Sequence, residues 1–187
     1  MTLNRTLEIK SFLPTATHLL FFINLLVYFF HPDGWPFELG SIREHYWPII
    51  GSMFSHASVN HLMGNMLFLV LFGPIVEKRM GWLPFVGLYL ASGVASLWGF
   101  GLFYPEMRVV GASGAISGLM AVYPFVQTNW LSKLLTGVCV GFLLFSEFAK
   151  ALVIDLPRTA HLGHVAGAVS GLLVFCYYRA MHGRTSR

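Results

Sequence analysis

Charged side chains are scarce in this sequence. Lys, Arg, Asp and Glu together make up 11% of its 187 residues, whereas a soluble domain carries roughly a quarter, and that shortage excludes an ordinary water-facing surface. Aspartate occurs only at Asp33 and Asp155, and cysteine only at Cys139 and Cys176. Both cysteines fall in apolar runs, where thiols behave as small apolar groups, so no disulfide framework is indicated. There is no low-complexity linker, no convincing internal repeat, and no HExxH string of the kind that serves a zinc hydrolase. The formal net charge of +4 reflects how loops are oriented across a membrane and calls for no nucleic acid.

What is present is apolar length. Hydrophobic residues make up 56% of the chain and the mean hydropathy is +0.66, which points to an all-α polytopic membrane protein. Runs long enough to cross about 30 Å of hydrocarbon as helices can be drawn near Phe12 to Phe30, Val59 to Val76, Trp82 to Tyr104, Val109 to Val126, Trp130 to Phe148 and Ala160 to Tyr178. Six spans in a single domain over residues 1–187 are therefore expected. The leading tail, MTLNRTLEIK, is too polar and too weakly cationic for the n-region of a cleaved signal, so the first helix is expected to be retained.

Orientation follows from Lys and Arg, which favour cytoplasmic loops. With a cytoplasmic N-terminus the inner segments hold Arg5, Lys10, Lys78, Arg79, Lys133, Arg179, Arg184 and Arg187, and the outer loops hold Arg43, Arg108, Lys150 and Arg158. Eight against four places both termini in the cytoplasm. The second, fourth and sixth spans then run from outside inward.

Those three spans carry their polar residues at the same end. The second opens "SHASVNHLMGN", with His56 at the boundary, His61 inside it and Asn65 one turn deeper on the face of His61. The fourth carries Ser113 in "GASG", and the sixth opens "AHLGHVAGAVSG" with His161 and His164. A hydroxyl, imidazoles and an amide thus reach one depth if the helices touch. In lipid, close approach depends on small interfacial residues, and Gly114 with Gly118 and Gly167 with Gly171 make two GxxxG pairs. Taken singly, each polar residue has a plainer reading, since an isolated membrane-helix serine usually bonds a carbonyl one turn back. Their coincidence at one level is what points to chemistry.

The strings "HASVNHLMGN", "GPIVEKRMG", "GASG" and "HVAGAVSG" resemble the rhomboid intramembrane serine proteases, in the right order over Trp47 to Gly171. The resemblance implies a six-transmembrane-helix rhomboid-like bundle that acts as a serine endopeptidase through a Ser-His dyad without a carboxylate. Ser113 would be the nucleophile and His164 the general base. The oxyanion donors would be the side chains of His61 and Asn65 and the backbone N–H of Ser113, with Gly111, Gly114 and His56 in support. Neither a metal nor a cofactor is implied. The expected partners are the lipid bilayer and single-pass membrane substrates cut near the outer boundary, and the expected site is a bacterial inner membrane. The string "AHLGH" lets either histidine pose as the base, but Gly167 and Gly171 follow His164 at three and seven residues, which favours His164.

Two departures stand out. Where some rhomboids stack an aromatic on the catalytic imidazole one turn after the nucleophile, this chain has Ser117, and where some have a Trp-Arg pair it has Trp47 and Pro48. Trp35, Phe37 and Tyr46 still suit a membrane interface. Near the end of the fifth span, Glu147 and Lys150 either pair or mark the exit into solvent, and the exit is the favoured reading; the loop after it, Leu152 to Arg158, would border the substrate's lateral route. Three rival readings stand beside this one: a catalytically inactive relative that binds transmembrane helices, a metal hydrolase using His56, His61, His161 and His164, and a transporter. Transporters place such groups near the midplane with broken helices, unlike the one-sided cluster here.

Overall fold

A computed structural model of the chain describes residues 15–31, 33, 36, 48–153 and 160–182. The tail before residue 15, the interfacial candidates Trp35, Phe37, Tyr46 and Trp47, the Leu152–Arg158 loop with Asp155, and the last five residues lie wholly or largely outside them. The described residues form seven helices and no strand: α1 (Thr15–Phe30), α2 (Pro48–Gly51), α3 (Val59–Met80), α4 (Trp82–Gly101), α5 (Ser113–Val126), α6 (Trp130–Val153) and α7 (His161–His182). The fold is all-α, as expected.

Four of these, α3, α4, α6 and α7, are long and apolar enough to cross a membrane, while α1 and α5 are shorter apolar helices. The difference matters most at α5. An apolar run from Val109 would make a full span, but the helix starts at Ser113 and has 14 residues, a rise of about 21 Å. Gly111 accounts for the late start. Its φ of +122° is open to glycine and costly for other residues, and its N–H donates to the Ser52 carbonyl at 2.8 Å instead of joining a helix. The nucleophile candidate therefore heads a short helix rather than sitting inside a long one. α3 overruns its expected end at Val76 and stops at Gly81, whose φ is +87°; Lys78 and Arg79 in its last turn complement the helix dipole.

α4 is the centre of the bundle and packs most extensively on α7 and α5. Phe85, Leu88 and Tyr89 are wholly buried along it. α5 and α7 meet almost backbone to backbone: a Cβ on Gly171 would lie 2.6 Å from Gly118 Cα, and one on Gly167 would press into the Gly114 carbonyl. The two GxxxG pairs face each other as the spacing required. α6, by contrast, has only 6% of its apolar window buried against 44% for α4, and turns Phe142 and Phe145 outward, which suits a lipid-facing helix.

α1 is docked by a buried carboxylate. Glu77 on α3 accepts from Ala16 N (2.9 Å), Thr17 N (2.8 Å) and Thr17 Oγ1 (2.7 Å). Two of the N–H groups that a helix start leaves without internal partners are thereby satisfied by a charge of the sign its dipole favours.

Candidate active site

Five segments supply the site. Ser113 is the first residue of α5, and behind it Gly111 admits two side chains from α3: a Cβ at Gly111 would stand 2.6 Å from His61 Cε1, 2.9 Å from His61 Nε2 and 3.5 Å from Asn65 Nδ2. Any other residue there would evict the His61 ring. The start of α3 is fixed by Ser58, whose Oγ accepts from His61 N–H at 3.2 Å, an N-cap that sets the helix register placing His61 and Asn65 on one face. The Asn65 Nδ2 is buried and has no hydrogen-bond partner among the described residues. An unmet buried donor costs about 1–3 kcal/mol, so this amide is poised for an acceptor.

His56 lies just before α3. Its ring is 5.1 Å from that of His61, and its Nδ1 is 3.2 Å from the Phe54 carbonyl, to which the Nδ1–H donates. Burial, reinforced by the neighbouring His61, pushes its pKa down to about 4, against a smaller opposing pull from the Phe54 carbonyl. His56 is thus neutral at pH 7 and supports the His61 ring from behind.

His164 lies one turn into α7. Its Nε2 is 2.9 Å from Ser113 Oγ, and its Nδ1 is 2.7 Å from Glu147 Oε2 on α6. The Nδ1 of His161 is turned to the same Glu147 oxygen, at 2.7 Å. The glycine register explains the division, because the face that carries Gly167 and Gly171 into α5 also carries His164. Ser117, one turn after Ser113, donates its hydroxyl to the Ser113 carbonyl at 2.8 Å and packs on its own helix.

Glu147 corrects two expectations. The resemblance implies a Ser113–His164 pair without a carboxylate, yet a glutamate stands beside it. Glu147 was also read as marking the exit into solvent, whereas its Oε1 accepts from Lys150 at 3.1 Å and its Oε2 faces both histidines. The available signal was that an ionisable residue within a span needs a partner. The sequence could not show that α6 turns this residue towards α7. Donor atoms of Glu147, His161 and His164 lie within 4.8 Å of one another, close enough to hold a metal ion. This is a different set from the four histidines considered for a metal site.

Ser113, His164, His61, Asn65 and Glu147 line a cavity of about 410 Å³, whose other walls include Phe68 and Met120. A polar end against an apolar wall is the arrangement that small ligand clefts share. It can accept an extended apolar chain and offer it a hydroxyl, an imidazole and amide donors at one end.

The family model for the Rhomboid domain matches residues 43–180. Among curated proteins, the chain is 33% identical over 137 residues to "RHOMBOID-like protein 2" of Arabidopsis thaliana, covering 72% of this chain and 42% of the relative. It is 29% identical over 135 residues to "Putative rhomboid protease YdcA" of Bacillus subtilis (strain 168), covering 70% and 68%. It is 32% identical over 145 residues to "Rhomboid-related protein 1" of Caenorhabditis elegans, covering 70% and 39%. The matched region thus spans about two fifths of the plant and nematode proteins.

Proposed function

The chain belongs to the rhomboid family and is an integral, multi-pass membrane protein, and on that premise we propose that it is an intramembrane serine endopeptidase that cleaves transmembrane segments of single-pass membrane proteins. The observation that carries this reading is the 2.9 Å contact between His164 Nε2 and Ser113 Oγ, made at one end of an apolar cavity. A nucleophile within hydrogen-bond reach of its base is the requirement for covalent acyl transfer.

In the proposed reaction Ser113 Oγ attacks the scissile carbonyl carbon while its proton passes to His164 Nε2. The carbonyl oxygen becomes an oxyanion, which needs preorganised donors. His61, Asn65 and the Ser113 backbone N–H supply them, and the unpaired Asn65 Nδ2 supports that role. The C–N bond then breaks, and His164 returns its proton to the leaving amine. Water, deprotonated in turn by His164, hydrolyses the acyl-enzyme and regenerates Ser113.

The short α5 sets Ser113 below the level at which a full-length span would begin, which suits cleavage within the bilayer near one boundary. The Lys and Arg distribution favours cytoplasmic termini and an outward-opening site in a bacterial inner membrane.

In the decisive experiment, one sample of the detergent-solubilised protein is incubated with a fluorophosphonate and a separate, unlabelled sample with a panel of single-pass substrates. Labelling at Ser113, its loss in Ser113→Ala, and cleavage that withstands EDTA are the expected results. Cleavage abolished by EDTA and restored by zinc would replace the serine mechanism with a metal one.

A further inference from the structure

We propose that Glu147 is a third member of the site: a positioning residue on α6 whose carboxylate holds the His164 imidazole in the tautomer and orientation that receive the Ser113 proton. The inference rests on the serine-protease reading above and adds to it a group outside the Ser-His pair.

The hydrogen-bond inventory fixes the tautomer. A neutral imidazole has one N–H and one lone pair, and an ionised carboxylate only accepts. With Glu147 Oε2 at 2.7 Å from Nδ1, the proton sits on Nδ1 and donates to the carboxylate. Nε2 then carries its lone pair towards Ser113 Oγ at 2.9 Å. The opposite tautomer would leave two acceptors facing each other at Nδ1 and deny the serine its base. Once the proton arrives at Nε2, the imidazolium stands against a carboxylate in a region of low dielectric, where that attraction is stronger than in water.

The carboxylate is itself held still. Oε2 takes a second hydrogen bond from His161 Nδ1 at 2.7 Å, and Oε1 takes the Lys150 ammonium at 3.1 Å. Nothing on α5 does the same work, since Ser117 spends its hydroxyl on the Ser113 carbonyl. α4 brings no charged side chain, and α3 brings His61, which packs against Gly111. Position argues in the same direction. α6 is mostly turned to lipid, yet the Glu147 side chain is only 21% exposed between Phe145 and Phe148 at 67% and 45%. An ionisable residue on such a helix is costly unless it is paired, and here its partners are the base, a second histidine and a lysine.

The test compares wild type, E147Q, E147D and S113A, purified in detergent, by thermal unfolding, kcat, KM and the rate of fluorophosphonate labelling at Ser113. E147Q is nearly isosteric, removes the charge and can present an amide N–H to Nδ1, stabilising the wrong tautomer. It should lower kcat by up to about 10⁴-fold, the loss seen when an amide replaces a triad carboxylate, with KM within about twofold and labelling slowed in parallel. E147D restores the charge on a shorter arm and should recover at least tenfold over E147Q. A kcat for E147Q near wild type, or E147D no better than E147Q with KM raised and unfolding earlier in both, would overturn the inference and leave Glu147 a structural residue. If S113A still cleaves and Ser113 takes no label, the protease reading falls and this inference with it; if S113A is dead while E147Q is normal, this inference alone falls.

Discussion

Ser113 Oγ and His164 Nε2 stand 2.9 Å apart across 51 residues of chain, and the glycines beneath them make that distance attainable. α5 and α7 close on each other at Gly114, Gly118, Gly167 and Gly171, where a Cβ on Gly171 would lie 2.6 Å from the Gly118 Cα. Backbone cannot yield as a flexible side chain can. Gly171→Ala should therefore destabilise the protein by about 1–3 kcal/mol, the usual cost of overpacking, and slow the labelling of Ser113 as the helices part. Thermal unfolding in detergent together with labelling kinetics checks both effects. Normal values for each would mean that the seam is looser than the structure has it.

The same seam shows what the sequence made legible. Run length identified the four helices long and apolar enough to cross a membrane, and glycine spacing identified which faces of α5 and α7 meet, because both signals are local and periodic. Helix ends were less legible. The apolar run from Val109 hides a loop, since Gly111 breaks the helix through its dihedral and not through polarity. α2 was not foreseen, because four residues carry no periodicity. Glu147 was misread for a different reason: its meaning depends on the direction in which α6 turns it, and that is set by packing between helices and not by the neighbouring residues. Glu77 likewise read only as one letter of a resemblance, although it accepts three hydrogen bonds at the head of α1.

The oxyanion donors offer a quantitative check. Removing one such donor typically costs about 10²–10³ in turnover. Asn65→Ala deletes a buried Nδ2 that has no hydrogen-bond partner among the described residues, so the folded state loses little while the transition state loses a hydrogen bond. A fall in kcat of that size at unchanged stability is expected, and His61→Ala should behave similarly in kcat. Both are read from initial cleavage rates on protein of matched unfolding temperature. Variants that cut at the normal rate would reduce the two residues to packing elements.

His56 supplies a dependence on pH. Burial, then the proximity of His61, hold its pKa near 4, well below the ordinary histidine value of about 6.5. The sign follows from proton uptake: the unfolded chain binds a proton at His56 below about pH 6.5, and the folded chain does not until about pH 4. Stability is therefore complete above pH 6.5 and falls as the pH drops between those values, by up to about 3 kcal/mol from this residue. Unfolding temperatures measured from pH 7.5 to 4.5 should decline, and His56→Gln should flatten the decline. An identical slope in the variant would assign the acid sensitivity to other groups.

The two histidines of α7 allow the sharpest discrimination, because both touch the same carboxylate oxygen at 2.7 Å and only one reaches the nucleophile. His164→Ala removes the group at 2.9 Å from Ser113 Oγ, and with it the base that the hydroxyl faces. The loss expected for a deleted base is at least about 10⁴-fold in kcat. His161→Ala removes one of the donors to Glu147 but leaves the His164–Glu147 and Lys150–Glu147 bonds in place. Turnover within about tenfold of wild type is expected. Exchange of the base between them would require α7 to rotate by roughly 60°, since three residues advance a helix by about 300°, and that rotation would carry Gly167 and Gly171 away from α5 and drive Cβ-bearing residues into the seam. Cleavage rates of the two variants, measured on protein of equal unfolding temperature, decide the matter: an active His164→Ala beside a dead His161→Ala would mean that α7 sits in a different register.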